Sequence, residues 1–264
     1  MTVVSGIAAL RSMQAAGEKI VCLTAYDAGF ARVVDGAGVD LILVGDSLGM
    51  VVQGAEDTLG VTMEDMVYHT RLVRRGVQRA LLAADLPCHS YDTAAQAEAN
   101  AGHLIEAGAE MVKLEGGGAV TDIIRALTAN GIAVCGHLGL QPQSLERYGG
   151  YKVQGRDSKD AEHIFKDALA VQAAGADLLV LECVPRALGK RISAALDVPV
   201  IGIGAGPDCD GQILVLHDIL GVSSYIPRMA NDFLQHGGSI HAAVTAYVDA
   251  VRNGTFPDAA HSFD

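Results

Sequence analysis

Four carboxylates stand at or beside the ends of short apolar runs: Asp46 follows Leu41–Gly45, Asp85 follows Ala80–Ala84, Glu115 closes Met111–Glu115, and Glu182 is the last residue but one of Leu178–Cys183. Asp27, after Ile20–Ala25, occupies a similar place. A single acid there is equally well read as the cap of the next helix. Several on one rim repel each other unless a cation sits among them. Only oxygen donors are on offer, so the ion should be hard, Mg²⁺ first, with water or substrate oxygens completing its shell. No His-Glu-x-x-His pattern or Cys cluster points to zinc. Lys113 lies two residues before Glu115, so both side chains leave the strand on the same face. It can balance the acids or grip an anionic substrate such as a carboxylate. The surrounding carboxylates would keep it protonated, which argues against Schiff-base chemistry. His137 ends Ile132–His137 and is either a substrate-side group or a hydrogen-bonded structural imidazole.

These groups need a scaffold that brings strand ends together. The strand-like runs are Ile20–Ala25, Leu41–Gly45, Ala80–Ala84, Met111–Glu115, Ile132–His137, Leu178–Cys183, Val200–Ile203 and Ile213–His217. Most are apolar almost throughout, as parallel strands covered on both faces are. Helical stretches separate them: Thr62–Arg75 with a Thr cap and an acid three residues on, Thr93–Ala107, and Asp160–Ala174. The phrases "EAGAEMVKLE" and "AAGADLLVLE" repeat one helix-end, turn and strand, and "DGAGVDLILVGD" echoes both. Eight strands alternating with helices predict an α/β fold, a (β/α)8 TIM barrel forming a single domain over 1–264, with a doubly wound open sheet as the alternative. The weakest unit lies between Val200–Ile203 and Ile213–His217, where there is little room for a helix. Segment 1–18 is placed over the barrel bottom, and Ser239–Val251 is the last helix. The strand C-termini then form the active face. The long stretches "GDSLGMVVQG" and "GHLGLQPQS…YGGYKVQGR" would supply its walls.

Composition narrows the function classes. With 31 acids against 19 bases and a net charge of -12, the chain is a poor partner for nucleic acid, which selects clustered Lys and Arg. It has no Trp, so stacking surfaces for bases are scarce. No apolar run reaches the ~18 residues of a membrane span. No basic patch precedes an apolar core near the start, so a signal peptide is not expected. The five cysteines are widely spaced with no Cys-x-x-Cys, as reduced, mostly buried thiols of a cytoplasmic protein would be.

Taken in order, "TAYD" (Thr24–Asp27), "LVGDSLGMVVQG" (Leu43–Gly54), "YHTRLVRRG", "AADLP", "VKLEGG", "VCGHLGLQPQS", "GGYKVQGR", "LLVLECVP" and "PVIGIGAG…DGQILVLHD" resemble the 3-methyl-2-oxobutanoate (ketopantoate) hydroxymethyltransferase family, from about Ile20 to the terminal "HSF". The resemblance implies a barrel of the phosphoenolpyruvate/pyruvate type with one Mg²⁺ per subunit, assembled as a homodecamer. It implies transfer of a one-carbon unit from 5,10-methylenetetrahydrofolate to 3-methyl-2-oxobutanoate, giving 2-dehydropantoate and tetrahydrofolate in pantothenate biosynthesis. It assigns Asp46 and Asp85 to the metal, with Glu115 helping to hold the ion or its water. It assigns Ser47 and Lys113, with Asp46, Asp85 and His137 nearby, to the oxo acid, and Glu182 to the general base. The nearest alternative is a Mg²⁺-dependent carbon–carbon lyase of the same barrel group, acting on an oxo acid without folate.

Overall fold

The computed structural model describes residues 6–145, 149–223 and 225–264. Its strands are β1 (Ile20–Thr24), β2 (Leu41–Val44), β3 (Leu81–Asp85), β4 (Met111–Glu115), β5 (Val134–Gly139), β6 (Leu178–Glu182), β7 (Val200–Ile203) and β8 (Gly211–Leu214). They are parallel, hydrogen-bonded in sequence order, and closed by pairing of β1 with β8. Closure removes the open-sheet alternative.

Alternation along each strand explains why the runs are apolar throughout. Val21, Leu23, Ile42, Val44, Leu82 and Ala84 join the core between the strands and the surrounding helices. Their neighbours Ile20, Cys22, Leu41, Leu43, Leu81 and Ala83 join Met111, Cys135, Leu178, Val180, Ile201 and Ile213 in a second cluster. The second set fills the barrel interior, because successive side chains leave a strand on opposite faces. Helix Gly6–Ala16 sends Leu10 into this interior cluster, with Ile7 and Met13 against it, so it covers the barrel at the strand starts. Residues 1–5 of the expected bottom cover lie outside the described residues.

Helix starts follow their local chemistry. Thr62 opens Met63–Arg74 with a reciprocal capping box to Asp65, and Ser239 caps Ile240–Arg252. The last strand departs from the expected Ile213–His217. It runs over Gly211–Leu214, and Leu216–Ile219 is a short helix. A Cβ at Gly211 would lie 2.3 Å from the Ile20 carbonyl oxygen, so glycine lets β8 begin against β1. The Leu216 N–H donates to Thr24 Oγ1 at 2.9 Å, turning the chain out of the sheet. A continuous apolar run does not distinguish strand from buried helix by period, so the local pattern carries β8 on into what is a helix. No helix separates β7 from β8. Among the described residues, no helix is long and apolar enough to cross a membrane.

Candidate active site

The interior alternation continues upward into polar residues. Leu81 and Ala83 lead to Asp85, Met111 to Lys113 and Glu115, Cys135 to His137, and Leu178 and Val180 to Glu182. Strand register sets the neighbours: Asp85 pairs with Lys113, Glu115 with His137, and Gly139 with Glu182. Lys113 Nζ donates to Asp85 Oδ1 at 2.6 Å, and the Asp46 N–H donates to Asp85 Oδ2 at 3.0 Å. His137 lies between two acids, its Nδ1 3.2 Å from Glu115 Oε1 and its Nε2 3.3 Å from Glu182 Oε2. Both are ion-pair distances without hydrogen-bond alignment. Gly139 permits this packing. Its φ is +87°, and a Cβ there would lie 2.1 Å from the Glu182 carbonyl oxygen.

Charge inside this shell is dense. Burial pushes Asp46 up to about 8, Asp85 and Glu115 push the same way, and Lys113 and Gln143 only partly offset them. Glu115 is held below the usual carboxylate range because His137, Lys113 and the Gln143 N–H outweigh its burial. Burial and Lys113 disfavour charge on His137, yet Glu115 and Glu182 outweigh them and raise it to about 9, favouring the imidazolium. Burial also opposes charge on Lys113, and Asp85, Glu115 and Asp46 overcome it, keeping the ammonium protonated. Asp46, with its pKa raised, is therefore under-compensated by these cations.

The seven residues to which the resemblance gives a role, Asp46, Ser47, Asp85, Lys113, Glu115, His137 and Glu182, line one cavity of about 820 Å³ at the strand C-termini. Ser47 shares a 2.9 Å hydrogen bond with the Tyr26 hydroxyl, and the Tyr26 ring lies 5.5 Å from that of His217. Asp27 takes no such place. Its carboxylate accepts from the Gly29 and Phe30 N–H groups and caps helix Ala28–Gly36. Tyr91 and Gln143, which no strand period marks, also reach the acids. Gln143 donates to Asp46 Oδ2 at 2.8 Å, and the Tyr91 hydroxyl donates to Gln143 Oε1 at 2.5 Å. The available signal was position: both follow strand ends, in "CHSYD" and "LGLQPQS". Among the described residues, no group of three or more His, Cys, Asp or Glu side chains is placed to hold a metal ion by itself.

The profile described as ketopantoate hydroxymethyltransferase matches residues 5–259. The chain is 58% identical to the 3-methyl-2-oxobutanoate hydroxymethyltransferase of Halorhodospira halophila, over 98% of this chain and 94% of that protein. A solved oxaloacetate acetylhydrolase is similar in fold, with a TM-score of 0.64 at 18% identity over 96% of this chain and 99% of that one. A phosphonopyruvate hydrolase in complex with oxalate and Mg²⁺ is similar at a TM-score of 0.62 and 16% identity, over 98% and 93% of the two chains. At these identities the solved structures support the barrel architecture and nothing finer.

Proposed function

The chain belongs to the ketopantoate hydroxymethyltransferase family, and from that premise we propose that its acidic rim makes 2-dehydropantoate from 3-methyl-2-oxobutanoate and 5,10-methylenetetrahydrofolate. It is a hydroxymethyltransferase, an enzyme of pantothenate biosynthesis. Water supplies the hydroxyl oxygen, and tetrahydrofolate leaves as the second product. One observation carries the reading: a single cavity holds the under-compensated Asp46 beside Asp85, the buried ammonium of Lys113, and a separate acid, Glu182.

Asp46 and Asp85 would hold one Mg²⁺ per subunit, with Glu115 supporting the ion or its water. Their hard oxygen donors suit it, and the raised pKa of Asp46 marks a carboxylate that a cation would stabilise. Without a complete protein ligand set, the remaining positions belong to water and substrate oxygens. Bound there, the ion supplies Lewis-acid stabilisation of the negative charge that develops on the substrate oxygen.

Lys113 and Ser47 hold the substrate's carboxylate and keto group. Glu182 takes the proton from the substrate carbon next to the keto group. His137 keeps the Glu182 carboxylate beside a positive charge and remains paired with Glu115 after Glu182 is protonated. The resulting enolate forms a C–C bond to the methylene carbon of 5,10-methylenetetrahydrofolate, and water then replaces the bond from that carbon to the folate nitrogen, leaving the hydroxymethyl group on the product and releasing tetrahydrofolate. For assembly and place we propose a homodecamer in the cytoplasm. Exposed Tyr68 lies outside the cavity and supports a subunit contact, and five free cysteines suit a reducing compartment.

The test is exchange of the C3 hydrogen of 3-methyl-2-oxobutanoate for deuterium in the absence of folate. Glu182→Gln should slow it by about 10²–10⁴-fold, the usual contribution of a positioned general base. Exchange at the wild-type rate would move the base role to another group. Net product should require 5,10-methylenetetrahydrofolate, whereas cleavage of an oxo acid without it would favour a lyase.

A further inference from the structure

We propose that Gln143 is a positioning residue that sets the Asp46 carboxylate for cation binding, an inference that rests on the reading of Asp46 as a Mg²⁺ ligand. Gln143 lies in the short turn Pro142–Ser144 after β5, on a different segment from either acid it touches. Its Nε2 donates to Asp46 Oδ2 at 2.8 Å and to the Leu86 carbonyl oxygen at 3.0 Å. Its Oε1 accepts from the Tyr91 hydroxyl at 2.5 Å, and its backbone N–H donates to Glu115 Oε2 at 3.0 Å. The amide therefore has both donors and its acceptor engaged.

Its orientation follows from the partners. The Leu86 carbonyl oxygen can only accept, so it requires the NH₂ end, which places that same nitrogen on Asp46 and leaves the Tyr91 hydroxyl to meet the oxygen end. Tyr91 is itself anchored, accepting from the Glu115 N–H at 3.3 Å. A rigid chain thus runs from β4 through Tyr91 to Gln143 and on to Asp46. It holds one oxygen of Asp46 and leaves Oδ1 for a ligand. Glu115 Oε1 is turned to His137 and Oε2 to Gln143, so the same turn ties together two of the three acids assigned to the ion. Hydrogen-bonding partners that orient a ligating carboxylate typically contribute 10–100-fold in metal affinity.

The experiment is calorimetric titration with MgCl₂ alone, on wild-type protein, Gln143→Ala and Tyr91→Phe, alongside denaturant unfolding in the absence of the ion. Gln143→Ala keeps the backbone bond to Glu115 but removes both side-chain donors, and should bind Mg²⁺ about 10–100-fold more weakly. Tyr91→Phe removes the hydroxyl from the amide oxygen but leaves the Leu86 and Asp46 bonds, and should give a smaller loss. Excess Mg²⁺ should recover most of the C3 exchange rate in Gln143→Ala, which a general loss of structure would not allow. If Gln143→Ala does not fold, Tyr91→Phe carries the test. Wild-type affinity in every variant that folds would overturn the proposal while leaving the metal reading intact. A wild-type protein that takes up no Mg²⁺ would overturn both.

Discussion

The two ends of the barrel interior are built from the same alternating strand positions and are buried to nearly the same depth, yet they do opposite things. At the strand starts Ile20, Leu41, Leu81, Met111 and Leu178 are at most 3% exposed. At the strand ends Asp85, Lys113, Glu115, His137 and Glu182 are at most 9% exposed. Burial alone therefore does not separate scaffold from site. The apolar layers each contribute roughly 1.5–3 kcal/mol per large side chain removed from water. The charged layer contributes little net stability, because desolvation cancels much of the attraction between buried ions. The fold is held mainly from below and from the helices outside, which leaves the upper layer available for chemistry.

The sharpest way to break this comparison is to remove the cation from the charged layer. Lys113→Met keeps much of the side chain's length and apolar bulk but leaves Asp85 buried without its ammonium partner. Losing one member of a buried pair costs about 3–5 kcal/mol, so the denaturant midpoint should fall steeply. The double variant Lys113→Met with Asp85→Leu should recover much of that stability while remaining inactive, since a well-packed apolar pair can replace a buried ion pair. A single variant as stable as wild type would mean that the rim carries its charge without strain, and the contrast between the two ends would be lost.

Parity was the part of this arrangement that the sequence carried openly. In Met111–Glu115 the two-residue period alone puts Met111, Lys113 and Glu115 on one face, and the barrel turns that face inward. Repeated strand-and-turn phrases gave the closed parallel sheet, and the strand-end acids gave the cavity floor. What differed in fate between Asp27 and Asp46 was not local. Both are Asp residues following a buried strand, but one finds the Gly29 and Phe30 N–H groups and the other finds Gln143, 97 residues away. Gln143 and Tyr91 reach the acids from loops, where no period marks an inward face. The start of the eighth strand is likewise set by a distant contact, the approach of Gly211 to Ile20 across the barrel seam. Contacts between segments distant in sequence are what a reading of local pattern leaves out.

A smaller and differently distributed effect is expected at the strand starts. Met111→Ala empties a fully buried position two residues before Lys113 on the same strand. It should cost about 2–5 kcal/mol in unfolding free energy, the range for large-to-Ala changes in a close-packed core. The rate of C3 exchange per folded molecule should stay near wild type, because the cavity walls lie above it. If instead exchange collapses while the midpoint barely moves, the lower layer is part of the catalytic apparatus and the division between the ends is wrong.

The finest test shaves a single methylene from the same layer. Ile20 opens β1, pairs with Gly211 across the barrel seam and is fully buried. Ile20→Val keeps β-branching and strand preference, so the backbone has no reason to shift, and about 0.5–1.5 kcal/mol of stability should be lost. Thr24 belongs to the same strand but lines the cavity and anchors the Leu216 N–H. Strand β1 therefore runs from pure packing to site wall within five residues. If stability and chemistry are layered, Ile20→Val should lower the unfolding midpoint slightly and leave Mg²⁺ affinity and C3 exchange unchanged. A measurable loss of Mg²⁺ affinity from this change would mean that seam packing is transmitted up β1 to the rim, and the two ends would then have to be treated as one cooperative unit.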